Sequence, residues 1–239
     1  MLRALPLLLT ASLLAACAAA EPSPGGSDII DQPLFTARGQ EPGWLLTIGS
    51  DRLVFLANYG QQRISLPLPQ RQPLPNGYRY AAASEANRLR VDVVATLCQD
   101  TMSGMPYPAM VTIDLDSQRL DGCGGAPEAL LQGEAWTVEW IGDSAVLDGA
   151  RPTLTFGTDG RVSGNASCNS FGAGYRLTGE GLSFTPIVAT RRACVDANRM
   201  QQESAFLDQL GRSTRFDIRP DGALLLETAT SQTLLARRP

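Results

Sequence analysis

Five cysteines are the residues of this sequence with the clearest chemistry. Four of them form two groups with similar spacing, Cys98 with Cys123 and Cys168 with Cys194. An even number of cysteines in an exported chain is typical of disulfide bonds, and this local pairing would place one bond in each half of the chain. Four free thiols, or a site for a soft metal ion that prefers thiolate ligands, remain the alternative.

Polar side chains near the last two cysteines are candidate binding groups. Arg191 and Arg192 stand side by side, and guanidinium groups bind carboxylates and anionic headgroups through paired hydrogen bonds. Asn165 and Asn169 could contact the same ligand, although asparagine in such positions also favours backbone turns. We therefore predict a ligand-binding or partner-binding site from these four residues, with an exposed cationic strand end as the simpler alternative.

A methionine-rich segment offers soft ligands. Met102, Met105 and Met110 follow Cys98, and thioether and thiolate sulfur atoms suit Cu(I). A copper or redox sensor of envelope stress is therefore an alternative function. A disulfide at Cys98 would remove the thiolate, and methionines also fill gaps in a turn, so we predict no metal site.

Two carboxylates lie close together near the end of an expected strand. Asp114 and Asp116 are two residues apart and hence on one face of it. Paired carboxylates can perform glycoside hydrolysis, but carboxylates at strand ends and turns are more often solvated surface. We predict the solvated surface.

Two absences limit the catalytic chemistry further. The 239 residues include no His and no Lys, so that all 20 basic residues are Arg. Catalysis by Ser-His-Asp or Cys-His is excluded, and so are a P-loop and a Schiff-base lysine. The net charge of −4 argues against a nucleic-acid partner. We expect no enzyme, no catalytic residue and no cofactor.

The fifth cysteine, Cys17, follows a short apolar segment at the start of the chain. Met1-Leu2-Arg3 is positive, and residues 5–14 are apolar but too few to span a bilayer, as is typical of a signal peptide. Leu14-Ala15-Ala16-Cys17 resembles the bacterial lipobox. That resemblance implies removal of residues 1–16 and a lipid on Cys17, with ordinary secretory cleavage as the alternative.

The lipid would hold the mature chain at a membrane, since two or more acyl chains anchor a protein stably. Ala rather than Asp at position 18 implies, by resemblance to Gram-negative lipoproteins, the outer membrane facing the periplasm. Residues 17–32 are rich in Ala, Pro, Gly and Ser and are expected to form a flexible tether. An envelope protein or a hydrophobic ligand is the expected further partner.

Short apolar or alternating runs separated by 23 Gly and 16 Pro predict a mainly β fold. The alternation over Leu89–Leu97 predicts a half-buried strand, and proline-dense residues 67–75 predict a loop or an edge. One amphipathic helix is predicted over Asp196–Leu210, with Gly211 as the residue after its end. We place the domain boundary near Gln132-Gly133, between β-rich domains at 33–131 and 132–237, each a small antiparallel barrel-like fold and the second with the packed helix.

The second half resembles the META domain, also called the HslJ heat-shock-protein family. The similarity begins at Trp136 and is strongest from Gly164 to Asn169, and it continues through Thr190–Cys194 and the helix. It implies a small antiparallel β-barrel with a packed helix, in bacterial envelope proteins linked to heat stress and antibiotic tolerance. No catalytic site is established for the family, so none is carried over.

The first half is similar to an uncharacterised exported domain that often precedes META domains. The similarity is carried by Glu41–Trp44, Cys98–Gly104 and Gly122–Gly125, and it implies an envelope location without an activity. The expected function is a non-enzymatic, lipid-anchored envelope protein that acts in stress tolerance or binds a hydrophobic ligand or partner protein. A periplasmic inhibitor of a lytic enzyme is a further alternative.

Overall fold

The computed structural model describes residues 30–194 and 196–239. The predicted signal peptide, the predicted lipidation site Cys17 and residues 17–29 of the predicted tether lie outside the described residues. No helix in the described parts of the chain is both long and apolar enough to span a membrane. The described chain is mainly β, as predicted, with two curled antiparallel sheets and one main helix.

The first sheet is built from residues 35–124. Its strands and an additional small hairpin are β1 (Phe35–Gln40), β2 (Gly43–Ile48), β3 (Arg52–Ala57), β4 (Gln62–Pro67), β5 (Gln72–Leu74), β6 (Gly77–Ala83), β7 (Arg88–Val94), β8 (Cys98–Gln99), β9 (Pro106–Tyr107), β10 (Ala109–Leu115) and β11 (Gln118–Gly124). Strands β8 and β9 pair with each other, and the others form a nine-stranded sheet in the order β4-β3-β2-β1-β11-β10-β7-β6-β5.

Alternating residues explain how this sheet surrounds a core. In β7, Leu89, Val91 and Val93 are buried and the residues between them are more exposed, because successive side chains of a strand point to opposite faces. The two edge strands, β4 and β5, contain Pro67 and Pro73. Proline has no N–H to donate and is tolerated at a sheet edge, so the predicted edge character of this segment is confirmed.

Residues 128–237 form the second sheet and both α-helices. The elements are α1 (Glu128–Leu131), β12 (Trp136–Ile141), β13 (Ser144–Ala145), β14 (Thr153–Phe156), β15 (Arg161–Asn165), β16 (Ser170–Thr178), β17 (Gly181–Phe184), β18 (Val188–Ala189), α2 (Ala197–Arg212), β19 (Ser213–Ile218), β20 (Leu224–Thr228) and β21 (Thr233–Arg237). The main path runs β17-β16-β15-β14-β12-β21-β20-β19, with β13 beside β12 and β18 beside β16.

The second sheet curls until its two ends nearly meet. A Cβ built on Gly181 of β17 would lie 2.4 Å from the Thr214 carbonyl oxygen of β19, so only a residue without a side chain fits this seam. Helix α2 packs into the barrel with Phe206 and Leu210, both 0% exposed. These side chains join Phe156 and the other buried residues of the strands in one cluster, so the interior of the barrel is filled.

Helix α2 starts where the sequence predicts and ends later. The Asp196 side chain accepts the Asn198 N–H at 2.9 Å and caps the first turn. The predicted end before Gly211 is wrong, because the helix continues to Arg212. Ser213 Oγ donates to the Gln209 carbonyl at 2.9 Å, and this bond satisfies the end of the helix as the chain turns directly into β19.

The β8–β9 hairpin connects the first sheet to the second core. Met105 and Tyr107 are each 8% exposed and belong to the core cluster of the second barrel. The turn before Met105 is organised by Asp100, whose Oδ1 accepts the Ser103 N–H at 2.8 Å, and Gln40 Nε2 donates to its Oδ2 at 2.7 Å. The hairpin is therefore shaped by a buried carboxylate.

Arg238 is hydrogen-bonded to the segment that joins the two sheets. Arg238 lies 4.0 Å over the Trp136 ring and donates to the Leu131 and Gln132 carbonyls at 2.6 and 2.5 Å. Burial lowers the pKa of Arg238, and Glu134 opposes that shift. The predicted boundary near Gln132-Gly133 lies within this segment, and the domain limits stay predictions.

Candidate functional site

Both disulfide bonds have the local pairing that we favour from the sequence. Cys98 is bonded to Cys123, and Cys168 to Cys194. The second bond joins the turn between β15 and β16 to the segment that leads into α2. It brings together the two sequence regions that carry the predicted binding residues.

Asn169 lies at the centre of this junction and is 4% exposed. Its Nδ2 donates to Glu203 Oε1 at 2.8 Å and to the Arg192 carbonyl at 3.2 Å. Its Oδ1 accepts from Thr190 Oγ1 and from the Arg192 N–H, both at 2.8 Å. Glu203 also accepts the backbone N–H groups of Cys168 and Asn169. The asparagine side chain therefore joins three segments and is already bonded on both of its polar atoms.

A cleft of about 530 Å³ opens beside the Cys168–Cys194 bond. Arg192 and Arg199 line it, with Asp196 at the start of α2. Arg192 is exposed, and its Nη2 donates to the Cys168 carbonyl at 3.3 Å. Within the described residues neither arginine has an acidic partner at ion-pair distance. Two arginines thus line the same open space.

The charges around this cleft favour a negatively charged ligand. The Asp196 carboxylate is engaged by the helix, since it accepts the Asn198 N–H. The start of α2 contributes a partial positive charge of its own. Guanidinium groups bind carboxylate and phosphate oxygens with fixed geometry. The arrangement can hold an anion of modest size beside the disulfide.

The four predicted binding residues have different places in the structure. Arg192 lines the cleft, and Arg191 is exposed outside the lining. Asn165 accepts the Ser167 N–H at 2.8 Å and fixes the turn, while Asn169 is buried in the junction. Sequence reasoning missed Arg199, which also lines the cleft. The signal was present, because Asp196 predicts the start of the helix and Arg199 lies in its first turn, close to Cys194.

Potential metal ligands also meet at the junction. Cys168, Cys194 and Glu203 form the group of this kind found among the described residues, with ligand atoms within 4.8 Å of one another. The two sulfur atoms are bonded to each other. The folded, oxidised chain therefore offers no thiolate from these cysteines to an ion.

The cysteine that precedes the methionine-rich segment is oxidised and offers no thiolate. Cys98 is bonded to Cys123, and Met105 is buried in the second core. Met102 and Met110 are exposed, at 77% and 44%. Burial in the core explains Met105 without a metal ion.

The two carboxylates considered for hydrolysis are separated by the end of the strand. Asp114 lies on β10 and is hydrogen-bonded to Arg90. Asp116 follows the strand in a turn with φ +54°, and its Oδ1 accepts the Arg88 N–H at 2.9 Å. The expectation that both lie on the strand is wrong, because β10 ends at Leu115, but both residues line one cleft of about 510 Å³ together with Arg88 and Arg90.

The family comparison covers the part of the chain that forms the second barrel. The family model described as META domain matches residues 129–239. The C-terminal half of this chain is a META domain. Within the META domain, a Cβ on Gly164 would lie 1.9 Å from the Thr153 carbonyl oxygen, which explains why glycine stands there. Asn169 links the segment Gly164–Asn169 to the segment Thr190–Cys194, since its side chain is hydrogen-bonded to Thr190 and Arg192.

Two solved structures are similar to part of this chain. An NMR structure of a protein from Burkholderia xenovorans is 29% identical, covers 46% of this chain and 85% of its own, and has a TM-score of 0.40. A second NMR structure is 25% identical, covers 47% of this chain and 94% of its own, and has a TM-score of 0.40. No curated protein matches the chain.

Proposed function

We propose that this protein is a non-enzymatic lipoprotein of the bacterial envelope whose META domain binds an anionic group of a ligand or partner in the cleft beside Cys168–Cys194. The chain would be held by lipid on Cys17 and face the periplasm from the outer membrane. A role in envelope stress tolerance is the broader expectation for a META domain. The observation that carries the binding proposal is the pair of arginines, Arg192 and Arg199, that line one cleft and have no acidic partner at ion-pair distance in the part of the chain that the structure describes.

The filled core directs recognition to the outside of the barrel. Phe206, Leu210 and Leu226 are 0% exposed inside the second barrel, so side chains occupy the space that an acyl chain would need. A protein partner or a polar ligand on the outer surface therefore has more support than an apolar ligand in the interior.

Binding of inorganic phosphate to the purified mature protein tests the cleft. A ligand that binds only the folded state stabilises it by RT ln(1 + [L]/Kd), or about 1.4 kcal/mol at ten times Kd. For a chain of this size the shift in Tm is roughly 3–5 °C. We expect this shift over a chloride control of equal ionic strength, and we expect Arg192→Gln with Arg199→Gln to abolish it.

A second double variant provides the matched control. Arg161→Gln with Arg176→Gln removes the same charge from exposed arginines on β15 and β16 of the same barrel. General stabilisation by phosphate as a salt would be the same in both variants. Equal phosphate shifts in the two variants would contradict binding in the cleft.

The lipid anchor is tested separately in cells. We expect the intact mass of the mature protein to show acyl chains on its first residue and the protein to sediment with membranes. Cys17→Ala should remove both properties. Recovery of an unmodified, soluble mature protein with Cys17 intact would contradict the anchor and leave the cleft proposal in place.

A further inference from the structure

The disulfide at the cleft is placed to react as well as to hold the fold. Cys168 and Cys194 are both partly exposed and both line the cleft, together with Arg192 and Arg199. A thiolate that enters the cleft can therefore reach the sulfur atoms without unfolding of the barrel. Access to sulfur and the local charge are the factors that set the rate of thiol–disulfide exchange.

The Cys98–Cys123 bond is less accessible. Cys98 is partly exposed, but Cys123 is only 3% exposed, and the groove beside them has a volume of about 190 Å³. Asp100 and Asp121 line that groove with a single arginine, Arg38. The burial of Cys123 limits access to its sulfur atom, and the exposed Asp121 carboxylate repels an incoming thiolate, so this bond should be the protected one.

The charges at the Cys168–Cys194 bond favour a negative reactant and a negative leaving group. Two arginines line the cleft, against the one Asp196 carboxylate that caps α2. The Glu203 carboxylate is also close to the sulfur atoms, but it accepts hydrogen bonds from two backbone N–H groups and from Asn169 Nδ2. These donors offset its charge, and neither Arg192 nor Arg199 has an acidic partner at ion-pair distance among residues 30–194 and 196–239.

We propose that the META domain undergoes thiol–disulfide exchange at Cys168–Cys194 with a small thiol that carries a carboxylate or another anionic group. The inference rests on the anion-binding cleft and names its ligand class. The ligand thiolate attacks one sulfur atom, forms a mixed disulfide and releases the other cysteine as a thiolate. A second thiolate of the same compound attacks the mixed disulfide. The two ligand molecules leave as a disulfide with each other, and the second cysteine is released as a thiolate. Two electrons thus pass from the ligand thiolates to the cysteine pair, and both cysteines are reduced.

Three thiols of similar size and different charge test this exchange. Mercaptoethanesulfonate is anionic, mercaptoethanol is neutral and cysteamine is cationic. Reduction of each bond is followed in the oxidised, full mature protein by alkylation and mass spectrometry, and rates are divided by the concentration of each thiolate. We expect the anionic thiol to reduce Cys168–Cys194 about tenfold faster than the cationic thiol at low salt, and this preference to fall as salt is added.

The variants separate this inference from the proposed function. Arg192→Gln with Arg199→Gln should remove the preference for the anionic thiol, and Arg161→Gln with Arg176→Gln should keep it. Reduction of Cys98–Cys123 should not be faster with the anionic thiol in any of the three proteins. Phosphate should slow the anionic thiol in the wild type. Equal rates for the three thiols at Cys168–Cys194, or faster reduction of Cys98–Cys123, would overturn the exchange. A phosphate-dependent shift in Tm in that same protein would show that the cleft proposal survives.

Discussion

Replacement of Asn169 by alanine tests the junction on which the cleft depends. The change removes four side-chain hydrogen bonds, to Glu203, Thr190 and both backbone groups of Arg192. A neutral bond contributes about 1 kcal/mol and one to a charged group about 2 kcal/mol. Because residues 190 and 192 are near solvent, water replaces part of the loss. The expected destabilisation is about 3 kcal/mol, or a fall in Tm of roughly 6–12 °C.

Urea unfolding of the mature protein, followed by tryptophan fluorescence, measures this effect. Asn165→Ala is the matched control, since it makes the same chemical change four positions earlier. Asn165 Oδ1 accepts one bond, from the Ser167 N–H, so its loss should cost about 1 kcal/mol. If Asn169→Ala destabilised the protein no more than Asn165→Ala, the assignment of Asn169 as the joining residue would be refuted.

Three further changes test other parts of the fold. Replacement of Cys98 and Cys123 by alanine opens a loop with a sequence separation of 25 and should cost roughly 3–4 kcal/mol in urea unfolding; an unchanged urea midpoint would contradict this. Burial alone would raise the pKa of Asp100, but its hydrogen bonds outweigh burial and hold the pKa below the usual 3.8. The stability from this group is therefore complete above pH of about 3.9 and is lost as the pH falls through the lower folded value. Asp100→Asn should flatten the acid side of the stability curve, whereas an identical curve would argue against it. Arg238→Ala removes the stacking on Trp136 and three hydrogen bonds to backbone carbonyls and should lower the free energy of unfolding by about 2 kcal/mol, as measured by urea titration; no loss would show that the contacts are not stabilising.

Local patterns in the sequence carry much of the fold. The alternation in β7 predicts which residues are buried, because the period of a strand is two residues. Asp196 predicts the start of α2, since its side chain can cap the first turn. Gly211 misleads, because the end of the helix depends on a contact of Ser213 with Gln209 and not on a glycine turn.

The candidate site depends more on contacts between distant segments. The Cys168–Cys194 bond and the Asn169 junction hold the segment that carries Arg192 and Arg199 against the turn between β15 and β16, and this contact forms the cleft. Spacing along the chain does not contain that information. The burial of Met105 in the second barrel cannot be predicted from the spacing either, because it depends on a contact of the first half of the chain with the second.

Mapping of the bound anion on the protein surface tests whether the cleft beside Cys168–Cys194 is the binding site. Backbone amide spectra of the ¹⁵N-labelled mature protein would be recorded during titration with inorganic phosphate at constant ionic strength. We expect saturable shifts concentrated at Cys168, at residues 192–194 and at Arg199, and we expect the Arg192→Gln, Arg199→Gln double variant to lose them. Shifts centred elsewhere, or none at saturating phosphate, would contradict binding in the cleft.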